Sequence, residues 1–372
     1  MHNVTLFRNF IEDQRTSMEI YADQLLKNLQ KLDLDFFHFN EYRPIFGRLT
    51  NMLTDKANLR MRTARYFDYP LQAKKRGGTV NHILDHGYAH LLKVLDPEMT
   101  VITVHDIIPL LASRGEIKGV EKDRKRWLSE YTARFYKMAR HIIAISENTK
   151  NDLIQYCDCK PESITVIYYG INPVFKPVNT LEKNKLRQLF NLPQDNTKLI
   201  LIVGEAFYKN RYTSLKVLER LACNYGSAIG LVSLGRNSPD WNYAITNSPQ
   251  RSKVIHIDYL SSEDMLRLYN AVDCLLFPSW YEGFGIPPLE AMACGIPVVT
   301  SNAASLPEAV GDAGLVFAPD DVTGMTDAIE RLLKDNEFRK DQVRKGLEHV
   351  KNFNWTKNIT ETLEVYRKII QK

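Results

Sequence analysis

In the second half of the chain, short apolar runs rich in β-branched residues alternate with stretches whose apolar positions recur every three or four residues. "KLILIVG" (Lys198–Gly204), "AIGLVSLG" (Ala228–Gly235), "KVIHIDYL" (Lys253–Leu260), "DCLLFPS" (Asp273–Ser279) and "IPVVTSN" (Ile296–Asn302) have strand character. Between them, "SLKVLERLACNYG" (Ser214–Gly226), "SSEDMLRLYNAV" (Ser261–Val272) and "PLEAMACG" (Pro288–Gly295) have helical spacing, with Ser and acids opening the second. Strands alternating with helices predict right-handed crossovers and a parallel sheet covered on both faces.

The first half follows a looser version of the same rhythm. "DFFHFN" (Asp35–Asn40), "TVNHILD" (Thr79–Asp85), "MTVITVHDII" (Met99–Ile108), "HIIAISE" (His141–Glu147) and "ITVIYYG" (Ile164–Gly170) read as strands. "TSMEIYADQLLKNLQKL" and "RKRWLSEYTARFYKMA" read as helices. The chain of 372 residues therefore divides into two α/β domains. "GINPVFKPVNT" (Gly170–Thr180), with two prolines and little periodicity, marks the linker. The expected domains are residues 1–172 and 173–352. Residues 353–372 form a C-terminal helix that could pack on either, the first being the expectation.

Composition narrows the class. Apolar content of 44% and charged content of 25% fit a globular protein in water, and no window approaches the ~20 apolar residues of a membrane span. The opening "MHNVTLFRNFIEDQRTS" lacks the apolar core and cleavage site of a secretory signal. Five scattered cysteines (Cys157, Cys159, Cys223, Cys274, Cys294) suit a reducing compartment, so the expected location is cytoplasmic. The net charge of +5 is mild, but Lys56, Arg60, Arg62, Arg65, Lys74, Lys75 and Arg76 face only Asp68 and are interleaved with aromatic and apolar residues. That run is either a solvated helical face or a surface for an anionic partner, lipid headgroups on the inner face of a membrane or, as a distant alternative, nucleic acid. The run Glu121–Trp127 mixes both signs and reads as a solvated helix.

In an open parallel sheet, ligands bind beyond the carboxyl ends of the strands. Four places qualify. "GEAFYKNR" (Gly204–Arg211) offers Lys209 and Arg211 to an anion, and its spacing is neither a P-loop nor a dinucleotide fingerprint. "SWYEGFGIPPLEAMACG" (Ser279–Gly295) holds Glu282 in a glycine-rich loop and Glu290 in the first turn of a helix, with Pro288 near its first position. The N–H groups there would meet an anion at the positive end of the helix dipole. "HDIIP" brings His105 and Asp106 to a strand end, and "NAASLPEAVGDAG" brings Glu308. His82, His86 and His90 have helical spacing for a metal, but Gly87 and the preceding strand pattern put them on different elements, so no metal is expected.

"DMLRLYNAVDCLLFPSWYEGFGIPPLEAMACGIPVVTSNAASLPEAVGDAGLVFAPDD" resembles the donor half of retaining glycosyltransferases of family 4, in the GT-B superfamily of two facing Rossmann-like domains. "GEAFYKN", "VHDIIPL", "HIIAISENTKNDL" and "VIYYGINPVF" extend the resemblance in family order, and "HDIIPL" is similar to mannosyltransferases of polysaccharide assembly. The resemblance implies transfer of a hexose from a nucleotide-diphosphate sugar, GDP-mannose or a UDP-sugar, to a saccharide or lipid-linked acceptor. No cofactor is required and nucleic acid is not a partner. It implies that Glu282 faces the sugar hydroxyls, Glu290 holds the ribose, and Lys209 neutralises the leaving diphosphate. Gly204, Gly283, Phe284, Gly285 and Leu289 would line the donor, and His105 would lie near the sugar and β-phosphate. No protein nucleophile is implied, since the leaving phosphate serves as base.

The chain departs from the family in three places. Tyr208 stands where an Arg often precedes the Lys, and Glu205 where some members carry Arg, leaving Arg211 as the substitute cation. The usual opening strand and double-glycine loop are not visible; "EDQRTSMEIYA" stands there, with Arg15 and Ser17 as stand-ins at the acceptor beside His105 and Asp106. Tyr208 and Glu205 also keep open an alternative, a donor-binding scaffold without activity. A sugar-nucleotide epimerase of the same superfamily is disfavoured by the Glu282/Glu290 pair.

Overall fold

The structure, a computed structural model, describes all residues except 33–35, 52, 54–58, 119–125, 179–181, 195 and 372, and only the backbone of 48, 49 and 126. Lys56 of the basic run and residues 121–125 of the mixed-sign run lie outside the described residues. The chain separates into two compact units. One is Met1–Glu116, Glu121–Gly170 and Phe353–Lys372; the other is Ile117–Val120 and Ile171–Asn352. Among the described residues each unit carries one six-stranded sheet, and every strand pair is parallel.

In the first unit the strands are β1 (His2–Phe7), β2 (Phe37–Tyr42), β3 (Val80–Ile83), β4 (Thr100–Val104), β5 (His141–Ala144) and β6 (Ile164–Val166), in the order β2-β1-β3-β4-β5-β6. The opening strand that the sequence seemed to lack is therefore present, next to β3 inside the sheet. His2, Asn3 and Thr5 mask it in the pattern. Val4 and Leu6 are nonetheless fully buried, and the Thr5 hydroxyl donates to the Arg76 carbonyl at 3.1 Å. The run from Met99 to Ile108 is shorter as a strand than it reads. Asp106 accepts the Ile108 N–H at 2.9 Å and turns the chain into the helix Ile108–Arg114. The helix Trp355–Ile370 shares a core with Val4, Leu6, Tyr21 and Leu25 of this unit. Its Tyr366 hydroxyl meets His82 Nδ1 at 2.6 Å, while Thr103 takes Nε2 at 2.7 Å. Burial pushes the His82 imidazole down to about 3, so it is a neutral core group.

In the second unit the strands are β7 (Lys198–Val203), β8 (Ile229–Leu234), β9 (Val254–Ile257), β10 (Cys274–Phe277), β11 (Val298–Ser301) and β12 (Leu315–Phe317), ordered β12-β11-β10-β7-β8-β9. Leu199 through Ile202 are all buried, as a central parallel strand requires. The helix Ser262–Ala271 starts as the pattern predicts, with the Ser261 hydroxyl accepting the Asp264 N–H at 3.1 Å. Below the amino ends of β7 and β10, Asp273 binds Lys183 at 2.7 Å, Arg187 at 3.1 Å and the Leu199 N–H at 2.8 Å. Burial pushes the Asp273 carboxyl up, but Lys183, the Leu199 N–H and Arg187 hold it below the usual range.

Candidate active site

Strand order locates the crevice before any side chain is considered. From β7 the chain steps to β8 and β9 on one side, then returns to β10 on the other. The loops after β7 and β10 therefore diverge at their carboxyl ends, which is the topological switch point where α/β sheets bind ligands. Lys209 comes from the first loop and Glu282 from the second. The Lys209 ammonium lies 2.8 Å from Glu282 Oε1 and 3.0 Å from Oε2, with the side chains 14% and 8% exposed.

The local backbone fixes this pair. Gly204 leaves β7 at φ +102°, and a Cβ there would come within 2.8 Å of Lys209 Cε. Only glycine lets the lysine stem lie across the turn at that distance. The Trp280 N–H donates to the Tyr208 carbonyl at 2.7 Å, joining the two loops. The Asn210 amide donates to the carbonyls of Pro278 and Pro319 at 2.9 and 2.7 Å. The Ser305 hydroxyl holds the Glu282 carbonyl at 2.9 Å. The ammonium also lies 4.6 Å from the centre of the Phe277 ring.

Gly285 caps the helix Ile286–Ala293 at φ +105°, and a Cβ would press on Leu306 at 2.9 Å. Pro287 and Pro288 occupy its second and third positions, later than the sequence pattern suggests, and carry no N–H. The donors at this end are thus reduced mainly to Gly285 and Ile286. Leu289 and Phe284 are buried, while Gly283 continues the loop from Glu282. Glu290 is half-buried and accepts the Tyr269 hydroxyl proton at 3.0 Å. Burial pushes the Glu290 carboxyl up to about 7, and the tyrosine bond opposes that rise. Glu308 lies half-buried in the helix Leu306–Val310.

Arg211 is only 6% exposed and its guanidinium is turned to main chain. It donates to the Arg236 carbonyl at 3.3 Å and the Glu205 carbonyl at 3.4 Å, and stacks 4.9 Å from the Trp241 ring. Glu205 accepts the Arg236 N–H at 2.6 Å. Together these two residues tie the loop after β7 to the loop after β8. The structure brings Lys209 and Glu282 together and gives Arg211 this bracing position instead.

The first unit repeats the switch-point logic at β1 and β3. Asp85, just beyond β3, is fully buried. It accepts Asn9 Nδ2 at 2.7 Å, Arg15 Nη1 at 2.6 Å and the Gly87 N–H at 2.7 Å. Burial pushes its carboxyl up, yet Arg15 and then His86 hold it down at about 2. Arg65 donates to the Gly87 carbonyl at 2.5 Å and stacks 4.4 Å from the Tyr88 ring, whose hydroxyl bonds Asp13. His105, beyond β4, gives Nε2–H to the Leu84 carbonyl at 2.7 Å, so Nδ1 accepts from the Tyr169 hydroxyl. Burial pushes this imidazole down to about 4 and keeps it neutral. Asp106 is half-buried in the turn described above, and Ser17 is exposed on the first turn of the helix Thr16–Leu29. His86 lies in this cluster, whereas His90 bonds the Arg65 carbonyl at 2.7 Å and His82 belongs to the core. Asp85 and Tyr88 were not singled out from sequence, and Arg65 was read there only as part of the basic run, whereas the structure turns it to the Gly87 carbonyl. Asp85 ends a strand-like run, and that position was the available signal.

Two parallel six-stranded units with polar residues gathered at the carboxyl edge are the build of the GT-B superfamily. Residues 184–349 match the family described as glycosyl transferases group 1, and residues 18–175 match glycosyltransferase family 4. The O-antigen chain mannosyltransferase B of Escherichia coli is 30% identical over 274 residues, 73% of this chain and 70% of that protein. A sucrose-phosphate synthase from Thermosynechococcus elongatus superposes with a TM-score of 0.76 at 19% identity, covering 100% of both chains. Anabaena Alr3699/HepE, solved with UDP and glucose, superposes at 0.73 with 16% identity, covering 99% of this chain and 100% of that one. The chain belongs to glycosyltransferase family 4, and it is a glycosyltransferase.

Proposed function

We propose that this chain is a retaining hexosyltransferase that moves a sugar from a nucleotide-diphosphate donor, GDP-mannose or a UDP-sugar, to a saccharide or lipid-linked saccharide in polysaccharide assembly. The observation that carries the reading is the Lys209–Glu282 pair at the switch point of the second sheet. Its mannosyl preference draws on the relative named for O-antigen mannosyl transfer. A nucleotide donor draws on the neighbour solved with UDP.

Departure of a nucleoside diphosphate builds negative charge on the phosphate and positive charge on the anomeric carbon. On donor binding the ammonium turns from Glu282 to the diphosphate, and the freed carboxylate accepts sugar hydroxyls. The cation and the N–H groups at the start of the helix Ile286–Ala293 stabilise the leaving charge in a low-dielectric crevice. Glu282 and Glu290 orient sugar and ribose at opposite ends of the donor. In this reading the leaving phosphate takes the acceptor proton, and the Lys209 ammonium with the N–H groups makes a metal ion unnecessary. The acceptor is taken by the first unit, where Arg15, His105 and Asp106 border the Asp85 cluster.

Contact with anionic membrane belongs to the same proposal. No helix among the described residues is long and apolar enough to cross a membrane. Leu59, Phe67 and Leu71 are more than half exposed along the helical stretch from Leu59 to Lys74, where Gln72 holds the Ile45 carbonyl at 2.7 Å. Arg60, Arg62, Lys74, Lys75 and Arg76 lie in or just after the same stretch, a combination of basic and exposed apolar side chains suited to a cytoplasmic leaflet. Equal sedimentation with neutral and anionic vesicles would remove this part.

The test of the reaction is a panel of nucleotide sugars with saccharide acceptors, followed by proton NMR of the first-formed product. Release of nucleoside diphosphate with an α-linked product from an α-linked donor supports the reading. A β-linked product refutes retention. Tight donor binding without turnover on any acceptor leaves the scaffold alternative in its place.

A further inference from the structure

We propose that Tyr269 is a positioning residue that aims the Glu290 carboxylate at the donor ribose and makes the site selective for ribonucleotide over deoxyribonucleotide donors. The inference rests on the reading of Glu290 as the ribose ligand. A carboxylate that accepts both hydroxyls of a cis-diol must hold one plane, and a glutamate has three rotatable bonds with which to lose it. Tyr269 removes that freedom. Its hydroxyl donates to Glu290 Oε2 at 3.0 Å and leaves Oε1 and the second lone pair of Oε2 for a ligand.

Tyr269 is itself immobile. It is fully buried near the end of the helix Ser262–Ala271, with its ring edge-on to Phe175 at 5.9 Å. Its neighbour Asn270 bonds the Val178 N–H at 3.0 Å and the Lys176 carbonyl at 3.1 Å, clamping this turn to the segment that enters the unit. A rigid anchor therefore sets the direction of the Glu290 side chain on the helix that follows β10.

The same bond governs charge. The titratable groups facing Glu290 are Tyr269 and Cys294, and burial pushes the Cys294 thiol up to about 12, so it is neutral. Burial holds the Tyr269 phenol well above its ordinary value, so it stays a donor. Among the described residues no cation faces Glu290 to keep it ionised, and the Tyr269 phenol is the side chain that favours the charged form.

The experiment measures dissociation constants of a nucleoside diphosphate and its 2′,3′-dideoxy counterpart for the wild type, Tyr269→Phe and Glu290→Gln. It is repeated with the intact nucleotide sugar, which has no phosphate titrating near neutrality, from pH 6 to pH 9. The wild type should prefer the ribonucleotide by about 10-fold or more, as expected for a charged hydrogen-bond acceptor. Tyr269→Phe should lose most of that preference while binding the dideoxy compound as before, and higher pH should restore its affinity for the nucleotide sugar. An equal loss for both nucleotides at every pH, or no loss, overturns the positioning role. If Glu290→Gln keeps the full ribose preference, the ribose reading itself fails and the inference falls with it, a result distinct from failure of Tyr269→Phe alone.

Discussion

Removing one member of the Lys209–Glu282 pair should cost more than removing both. The two side chains are 14% and 8% exposed and lie 2.8 Å apart, so a single truncation leaves its partner charged in a site mostly closed to water. Breaking a fully buried pair costs about 3–5 kcal/mol. The remaining exposure and the freedom of the survivor to turn toward solvent lower this to roughly 2–3 kcal/mol for either single change. Replacing both by apolar residues removes the unpaired charge, so the coupling energy should be about 3 kcal/mol, at least as large as either single cost. Urea unfolding of Lys209→Met, Glu282→Leu and the double variant measures it. Donor turnover in the same set should fall about 10²–10³-fold on Lys209→Met, the effect of losing one preorganised donor to a leaving anion. The double variant should regain stability without regaining turnover. Additive stabilities within about 0.5 kcal/mol would refute the closed pair, and near-normal turnover of Lys209→Met would refute its role.

Other consequences are equally specific. Gly204→Ala meets both a positive φ and Lys209 Cε at 2.8 Å, so turnover should fall sharply with a stability cost of about 1–3 kcal/mol, checked by kinetics beside thermal unfolding. Asp273→Ala strands Arg187 and Lys183 below the sheet and should destabilise the second unit by about 3–5 kcal/mol, read by denaturant unfolding. Asp85 has a folded value of about 2, below its ordinary 3.8, so the unfolded chain binds more protons between those values. Its contribution of about 2 kcal/mol is full above pH 4 and lost as pH falls toward 2, and Asp85→Asn should flatten acid unfolding in that window. Turnover should survive a metal chelator, measured as nucleoside diphosphate release with and without EDTA.

The fold class was legible because a buried parallel strand writes an unbroken apolar run, as Leu199 to Ile202 do, and because the alternating helices keep their period. What hid had physical reasons. β1 carries His2, Asn3 and Thr5 among its six residues, so its central place was invisible until pairing with β2 and β3 was seen. The helices Pro239–Asn247 and Asn336–His349 were not picked out, since they are largely polar and take their order from tertiary packing. At the candidate site, strand ends pointed to Lys209, Glu282 and Glu290 because a parallel sheet collects its polar loops at one edge. The loops themselves were harder. Arg211 reads as a free cation in "YKNR" but is turned inward by Trp241 and two carbonyls. Asp85 and Arg65 meet near Gly87 from segments far apart in sequence, and spacing carries no trace of that.

The most direct measurement is the thermal shift of wild type and Lys209→Met against nucleotide sugars differing in base and sugar. Binding to the native site at 100 times Kd adds about 2.7 kcal/mol. For a unit of this size that raises Tm by roughly 5–10 °C. The account predicts such a rise for one nucleoside-diphosphate sugar in the wild type and its loss in Lys209→Met. A wild type that no nucleotide sugar stabilises, or a Lys209→Met variant stabilised just as strongly, would contradict it.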